Sequence, residues 1–183
     1  MSADKPTLPI IERRRIEAEL LREVYTTLKE RFGIEAARDA IRESVKRSAV
    51  TQAGQFAERL AEGASLQGFI DIQKYWTAED ALTIETVARS ETTFDFNVTR
   101  CRYAEMYREM GLAELGPLLS CNRDGAFCEG FDPHLKMTRT QTIMGGASHC
   151  DFRYRWVDDP VIGPDSDAGL RTDQSPPNIG IGF

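Results

Sequence analysis

Apolar residues recur at helical spacing through the first 76 positions of the chain. The clearest row has members four residues apart and ends where Gly33 would close a helix: Ile16, Leu20, Val24 and Leu28. The same spacing predicts a second helix over residues 34–60, with Gly54 as a weak point, and a third over residues 65–76. Amphipathic helices mostly serve packing, so we interpret these three as scaffold or as a surface for contacts between subunits.

From Leu82 onwards the apolar period shortens to two residues, which is the period of a β-strand. Residues 82–87 alternate in this way, and a polar turn follows near residues 90–91. A second alternation then places three large apolar residues on one face: Phe94, Phe96 and Val98. This pattern predicts a β-hairpin.

Helices and strands follow each other in the rest of the chain. We expect an amphipathic helix over residues 100–107 and a short helix over residues 113–120. Turn-forming residues are frequent over residues 122–133, which predicts a loop. Strands over residues 138–143 and 149–157 then form a second hairpin around a Gly-Gly turn.

These elements predict an α+β fold, in which N-terminal helices pack with a small antiparallel sheet of two hairpins bracketing two helices. A chain of 183 residues with 41% hydrophobic content is long enough for one sizeable core. We therefore expect a single domain over residues 1–157, helical over 8–76 and mixed over 81–157. Frequent proline and glycine predict an irregular C-terminal tail over residues 158–183. In the alternative interpretation, the last apolar residues of the tail dock on a neighbouring surface: Ile179, Ile181 and Phe183.

The charge balance and the apolar runs exclude several kinds of partner. A net charge of -6 disfavours a nucleic-acid partner, because binding a phosphate backbone requires clustered Lys and Arg. No stretch approaches the roughly 20 apolar residues of a membrane helix, and residues 1–15 lack the apolar core of a signal peptide. We therefore expect a cytoplasmic protein with no membrane partner, whose four cysteines are free, catalytic or metal-bound.

Most residues able to carry chemistry lie in four sparse motifs: FxVxxC from Phe96, CxxD from Cys121, RTxTxxxG from Arg139 and CDFR from Cys150. Together with Ala104, Glu105, Glu114 and Leu115, these motifs resemble the L-2-amino-thiazoline-4-carboxylic acid hydrolase family of bacterial ring-opening enzymes. The resemblance implies hydrolysis of a small cyclic amidine or amide, as in opening a thiazoline ring to N-carbamoyl-cysteine. The segment 145–152 is also similar to the end of the vinyl-reductase-type small-molecule-binding domains, which supplies a rival function.

The implied reaction needs an activated water or thiolate, an acid for the leaving atom, and a group that binds the substrate carboxylate. Cys101 stands at a strand-to-helix transition, where helix amides and the flanking Arg100 and Arg102 favour a thiolate. It is our first nucleophile candidate, although a small buried hydrophobe is the alternative. Cys121 and Asp124 are three residues apart and can reach one cavity, so Asp124 is the best general-base candidate, although Asp-Gly is also a plain turn signal.

The substrate-binding candidates centre on Arg139. Its guanidinium can bind both oxygens of a carboxylate, although a structural pairing with Asp151 across the hairpin explains it equally well. The other candidates are polar residues on neighbouring strands and in the expected loop: Thr140, Thr142, His134 and Asn97. For His134 the alternative is a solvated loop histidine.

This scheme requires no cofactor, and zinc is the alternative. Zinc would be held by Cys101, Cys121 and Cys150, with Asp124 or His149 as a fourth ligand, and would supply a bound water as nucleophile. The spacings of 20 and 29 residues between the three cysteines do not match a zinc knuckle or ribbon. The spacing of the cysteines therefore gives little support to a metal site.

The two remaining cysteine positions have simpler interpretations. Cys150 lies two residues from Phe152 and therefore on the same face of the strand, so we expect it to face the core. Cys128 fits neither the thiolate scheme nor the zinc scheme, and we interpret it as a loop thiol.

Two functions from different classes follow from the sequence. The first is a cytoplasmic, homo-oligomeric hydrolase acting on a carbon–nitrogen or carbon–sulfur bond of a small heterocycle. The second is a non-catalytic small-molecule or metal-binding domain of the vinyl-reductase type. A binding module has no need of Asp124 close to Cys101 and Cys121, whereas a hydrolase does.

Overall fold

Two long helices joined through a single residue form the first part of the chain. In the computed structural model, which describes residues 8–159, α1 is Ile10–Phe32 and α2 is Ile34–Ala57. The joining residue, Gly33, has a φ of 87°, a conformation that glycine adopts without steric cost. The two predicted helices are therefore confirmed as separate elements, and they pack against each other.

One face of α1 is buried and the opposite face is exposed. The buried positions follow helical spacing and include one charged residue: Ile11, Arg14, Ala18 and Tyr25. Three members of the apolar row from which we predicted the helix lie on the outer side, where Ile16, Leu20 and Val24 are 57%, 68% and 38% exposed. Helix α1 thus carries an uncovered apolar row on one face and a buried arginine on the other.

Shorter helices lead from α2 to the sheet. Helix α3 is Leu66–Ile72 and α4 is Lys74–Thr77, where the sequence predicts one continuous helix. The Ser65 hydroxyl caps α3 by accepting a hydrogen bond from the Gly68 N–H at 3.0 Å. A 3₁₀ turn over Ala78–Asp80 then connects α4 to the first strand.

Four strands form one antiparallel sheet in the order β1-β2-β4-β3. Their bounds are Leu82–Arg89 for β1, Thr93–Cys101 for β2, Leu135–Thr138 for β3 and Cys150–Trp156 for β4. Paired residues of β2 and β4 place aromatic rings on the buried face, with Phe96 opposite Phe152 and Phe94 opposite Tyr154. The α+β class and the first hairpin are confirmed.

The prediction for the first strand of the second hairpin is wrong. We expected residues 138–143 to be extended, but β3 ends at Thr138 and a 3₁₀ turn occupies Ile143–Gly145. The cause is Asp151, whose carboxylate accepts hydrogen bonds from the backbone N–H groups of Thr140 and Gln141 at 3.0 and 2.8 Å. Because a side chain takes these two donors, they are not used in a strand ladder.

The expected loop over residues 122–133 is also wrong, because most of it is helix. A π-helical turn over Pro117–Cys121 leads directly into α6, Asn122–Phe131. Gly130, which we took as a turn residue, instead serves packing, since a Cβ there would lie 2.4 Å from the carbonyl oxygen of Val50 in α2. Close contact between α6 and α2 therefore outweighs the low helix propensity of this segment.

The buried apolar residues form two clusters. Helix α5, Arg102–Glu109, follows β2 directly as predicted, and it shares the first cluster with α1 and α2. The second cluster joins the inner face of the sheet to α3 and α6. Trp76, Leu82 and Cys101 pack against both clusters, so they mark the junction between them.

Two further predictions concern membranes and the tail. Within residues 8–159 no helix is long and apolar enough to cross a membrane. Most of the predicted irregular tail, from residue 160 onwards, lies outside the described residues, as does the alternative of docking through its last apolar residues: Ile179, Ile181 and Phe183.

Candidate active site

Two adjoining cavities lie at the junction of the two apolar clusters. Their volumes are about 60 and 70 Å³, and each exceeds the space that a single water needs. Six residues belong to the walls of both: Arg14, Trp76, Leu82, Arg123, Asp124 and Phe152. Because they share these walls, we treat the two cavities as two halves of one site, the central cavity.

Asp124 and Arg139 form an ion pair in the wall of the central cavity. Nη1 of Arg139 donates to the Asp124 carboxylate, and Nη2 donates to the carbonyl oxygen of Cys121 at 3.1 Å. The guanidinium also lies 4.9 Å from the centre of the Phe152 ring, within the range of a cation–π contact. The structural partner of Arg139 is therefore Asp124 and not Asp151, the alternative that the sequence offered.

The Asp124 carboxyl is protonated more readily in the protein than it would be in water. Burial raises the pKa of this carboxyl, and the charge and hydrogen bond of Arg139 oppose the shift. The side chain nevertheless keeps 30% of its surface uncovered, and it belongs to the walls of both halves of the cavity. Asp124 is thus a desolvated carboxyl that a molecule in the cavity can contact.

Three of the four cysteines meet at the second half of the central cavity. Cys101, Cys121 and Cys150 lie in its wall as free thiols. Burial raises the pKa of Cys101 to about 11 and that of Cys121 to about 12. The backbone amides of Ala104 and Tyr103 lower the pKa of Cys101, as predicted for helix amides, but burial outweighs them, so the prediction of a Cys101 thiolate is wrong.

The arginines beside Cys101 do not compensate for its burial. Arg100 donates two hydrogen bonds to the carboxylate of Glu105, at 2.9 and 3.0 Å. Arg102 donates to the carbonyl oxygen of Glu79. Both guanidiniums are therefore engaged with other acceptors.

Cys150 and Cys128 are both buried. Cys150 is 5% exposed, which confirms that it faces the core, and its sulfur accepts a hydrogen bond from the Ile143 N–H at 3.2 Å. The interpretation of Cys128 as a loop thiol is wrong, since it is 3% exposed within α6 and donates to the Asp124 carbonyl oxygen at 3.4 Å. The packing of α6 against the sheet accounts for its burial.

The four proposed zinc ligands share a cavity but form no coordination sphere. In the part of the chain that the structure describes, no group of three or more His, Cys, Asp or Glu side chains is placed to hold a metal ion. Cys101, Cys121, Cys150 and Asp124 are all in the cavity wall, yet Asp124 is already paired with Arg139.

Among the polar residues of the central cavity that the sequence analysis missed, three are joined by hydrogen bonds: Arg14, Gln52 and Arg123. The two arginines are 3% and 8% exposed. Both donate to the same acceptor, Oε1 of Gln52, at 2.9 and 3.0 Å. Burial, together with the neighbouring charge of Arg14, lowers the pKa of Arg123 to about 10, so it remains a cation at neutral pH.

Only one of these three residues had a usable sequence signal. Arg14 lies at helical spacing between Ile11 and Ala18, which places it on the buried face of α1, although its neighbours suggest an exposed basic cluster. Arg123 falls in the segment that we interpreted as a loop. Gln52 belongs to no chemical motif.

Two of the predicted substrate-binding residues lie outside the walls of the central cavity, near the sheet. His134 makes a hydrogen bond of 2.6 Å through Nδ1 to Asp132, and its ring stacks on Trp156 at 5.6 Å. Asn97 accepts a hydrogen bond from Arg153 at 3.1 Å, on the sheet face opposite to the aromatic residues. The structure does not bring either residue to the cavity.

Thr140 and Thr142 hold the segment that follows Arg139. The Thr140 hydroxyl donates to the Asp151 carboxylate at 2.7 Å, and Thr142 accepts a hydrogen bond from the Gly145 N–H at 2.9 Å. Although burial opposes the shift, hydrogen bonds from Thr140 and from the next residue lower the pKa of Asp151 to about 2. These two threonines are therefore placed to fix the backbone around Arg139 and are not part of the cavity wall.

The central cavity combines three kinds of group in largely apolar walls. A desolvated carboxyl can take up and return a proton, and Asp124 meets that requirement. Protonated thiols donate hydrogen bonds, and buried guanidiniums bind carboxylates. The cavity therefore brings a carboxyl, thiols and guanidiniums together within one site.

Comparisons with known proteins give structural similarity at low identity. The phenol-responsive sensory domain of the transcription activator PoxR, in a crystal structure with phenol, is 14% identical with a TM-score of 0.49, covering 78% of this chain and 73% of that chain. Trafficking protein particle complex subunit 3 from Naegleria fowleri, covalently bound to palmitic acid, is 12% identical with a TM-score of 0.44, covering 78% and 94%. No curated protein matches the sequence.

A family match covers most of the sequence. Residues 13–154 match the family described as L-2-amino-thiazoline-4-carboxylic acid hydrolase. The matched segment runs from the start of α1 into β4 and contains every wall residue of the central cavity. The resemblance that the four motifs indicate is thereby confirmed, and the chain belongs to the L-2-amino-thiazoline-4-carboxylic acid hydrolase family.

Proposed function

We propose that the protein hydrolyses a small nitrogen-containing ring in the central cavity, a cyclic amidine or amide related to 2-amino-thiazoline-4-carboxylate. Membership of the hydrolase family supports the reaction class. The observation that carries the proposal is the position of Asp124, a desolvated carboxyl in the cavity wall beside the thiols of Cys101 and Cys121. A domain that only binds a small molecule has no need of this arrangement.

In the proposed mechanism Asp124 is the general base. Its carboxylate removes a proton from water as the water oxygen forms a bond to the ring carbon next to nitrogen. The protonated carboxyl then returns that proton to the ring nitrogen or sulfur as the carbon–nitrogen or carbon–sulfur bond breaks. One water is added across one ring bond, and Arg139 holds the carboxylate in place throughout.

Cys101 and Cys121 take part as protonated thiols in this mechanism. Their pKa values of about 11 and 12 leave little thiolate at neutral pH, which favours attack by water over attack by sulfur. Each thiol can donate a hydrogen bond to a ring heteroatom. This assignment gives every predicted catalytic residue a role consistent with its environment.

Replacing the proposed base and the two thiols separately tests the mechanism. We expect Asp124→Asn to reduce kcat by about 100-fold or more, because it removes general-base catalysis. Cys101→Ser and Cys121→Ser keep a donor of similar size and should each reduce kcat by about tenfold or less. The gain of one water by 2-amino-thiazoline-4-carboxylate, followed by mass spectrometry, measures turnover.

Asp158→Asn is the matched control, because Asp158 is an exposed carboxylate outside the cavity walls. An inactive Cys101→Ser protein beside an active Asp124→Asn protein would assign the attack to a thiolate. If the wild type binds cyclic amidines or amides but converts none of them, the non-catalytic small-molecule-binding alternative is favoured.

The remaining aspects of this proposal concern the setting in which the protein works. We propose a cytoplasmic homo-oligomer that acts on a small heterocycle without a cofactor, a nucleic-acid partner or a membrane partner. Four free thiols agree with a reducing compartment. Elemental analysis of the purified protein tests the zinc alternative, since stoichiometric zinc that is lost in a Cys121→Ser variant would support it.

A further inference from the structure

The guanidinium of Arg123 is buried with few of its donors used. It is 8% exposed, and among the described residues the oxygen of Gln52 is its one hydrogen-bond acceptor. A guanidinium has five N–H donors, so most donors of Arg123 make no hydrogen bond within the described protein. Arg123 lies in the walls of both halves of the central cavity, so its free donors can be reached from there.

The charges around the cavity do not cancel. Three guanidiniums meet there, those of Arg14, Arg123 and Arg139, and the first two are held together by one neutral acceptor, Gln52. Two carboxylates oppose them, since Glu17 pairs with Arg14 and Asp124 pairs with Arg139. Arg123 is therefore left without a carboxylate partner in the described part of the chain, and the site suits one added negative charge.

We infer that Arg14, Gln52 and Arg123 form the subsite that binds the carboxylate of a monocarboxylic substrate, a role that the sequence analysis gave to Arg139. The inference rests on the proposed function and specifies how the ring acid is held. A carboxylate seated against Arg123 accepts the unused N–H groups and supplies the missing charge. Arg139 is less suited to this task, because its charge is already paired with the Asp124 carboxylate and its Nη2 donates to a backbone carbonyl oxygen.

This subsite also fixes the direction of the bound substrate. Gln52 lies in the wall of the first half of the cavity, whereas Cys101 and Cys121 lie in the wall of the second half. Asp124 belongs to both. A ring acid whose carboxylate lies beside Gln52, in the first half, therefore extends its ring past Asp124 towards the thiols, which is the orientation that the proposed hydrolysis requires.

A non-hydrolysable pair of ligands tests the subsite directly. L-thiazolidine-4-carboxylate has no amidine carbon, and its carboxamide differs from it by the loss of the negative charge. By isothermal titration calorimetry we expect wild-type protein to prefer the carboxylate by about tenfold or more. Arg123→Met should weaken binding of the carboxylate by about 10- to 100-fold and leave binding of the carboxamide nearly unchanged.

Arg153→Met is the matched control, because Arg153 is a half-buried arginine outside the walls of the central cavity. It should keep the wild-type preference for the carboxylate. If Arg123→Met also keeps that preference, the inference is wrong. Thermal unfolding of each variant establishes that the proteins compared are folded.

A second variant tests the inference without removing buried side-chain volume. Gln52→Glu has nearly the same shape and places a carboxylate between the guanidiniums of Arg14 and Arg123. We expect this internal carboxylate to raise the melting temperature and to abolish binding of L-thiazolidine-4-carboxylate. Wild-type affinity for the ligand in Gln52→Glu would overturn the inference.

The subsite and the hydrolysis can fail separately. If the preference for the carboxylate depends on Arg123 but no ring compound is hydrolysed, the subsite stands and the proposed function fails. If hydrolysis depends on Asp124 but Arg123→Met has an unchanged KM for 2-amino-thiazoline-4-carboxylate, the subsite fails and the proposed function stands.

Discussion

The ion pair between Arg139 and Asp124 sets the pH range in which the proposed base can work. Burial raises the pKa of the Asp124 carboxyl, and Arg139 counteracts part of that effect. A general base acts only when deprotonated, so kcat/KM should decline as pH falls through this pKa. The position of the acid limb of the pH profile therefore depends on how far burial raises the pKa of Asp124 and how far Arg139 lowers it.

Removing the guanidinium should shift this acid limb to higher pH. In Arg139→Met, burial of Asp124 is unopposed by Arg139, so the carboxyl holds its proton to a higher pH than in the wild type. Arg139→Lys keeps a positive charge and should shift the limb less. Profiles of kcat/KM against pH for the three proteins measure the effect, and an acid limb at the wild-type position in Arg139→Met would contradict it.

At the residue scale, sequence reasoning identified groups with local motifs and missed groups defined by tertiary contacts. Cys101, Cys121 and Asp124 drew attention through the FxVxxC and CxxD spacings, and the structure brings them to one cavity; their catalytic roles stay predictions. Arg14 and Arg123 are about 110 positions apart in sequence and meet only through Gln52. No local pattern encodes such a meeting, because it depends on how α1, α2 and α6 pack.

At the element scale, the close approach of α6 to α2 depends on one glycine. A Cβ at Gly130 would lie 2.4 Å from the carbonyl oxygen of Val50, a distance that requires the helices to separate. We expect Gly130→Ala to reduce the free energy of unfolding by about 1–3 kcal/mol, as overpacking does. Urea denaturation of wild type and variant measures the change.

Gly125 is the matched control for this substitution, since it lies in the same helix. The nearest atom to a Cβ there is 3.8 Å away, an ordinary contact, so Gly125→Ala should stabilise the protein by about 0.5–1 kcal/mol through helix propensity. If both variants gain stability, tight packing between α2 and α6 is not what constrains position 130.

The elements that sequence patterns predicted well are those with a long apolar period, even where, as in α1, the apolar row faces outwards. Helices α1 and α2 and the hairpin of β1 and β2 were found because their apolar periods run over many residues. Helix α6 was missed because its glycines read as turn signals, while its burial against α2 and the sheet was not visible in the sequence. The end of β3 was missed because Asp151 captures backbone donors from a distance.

At the scale of the whole molecule, the central cavity exists because two apolar clusters meet without filling the space between them. Helix α1 contributes Arg14, α6 contributes Arg123 and Asp124, and β2 contributes Cys101 at its end. A change in the packing of any one of these elements therefore alters both the subsite and the base.

Homo-oligomer formation stays a prediction, and the uncovered row on α1 supplies a surface on which to test it. Ile16, Leu20 and Val24 are exposed side by side on one helix face, and burying such a row against the same row of a second copy would gain apolar contact. We expect a molar mass that is a multiple of 20.6 kDa for the wild type and 20.6 kDa for Leu20→Glu, measured by light scattering.

The control for this substitution introduces the same charge on α1 away from the row. Thr26 is exposed and lies on a different side of the helix, so Thr26→Glu should keep the wild-type mass. A wild-type mass of 20.6 kDa would show that the homo-oligomer prediction is wrong. An oligomer that survives Leu20→Glu would instead place the interface elsewhere, because a carboxylate at the centre of a paired apolar row cannot be buried without a partner.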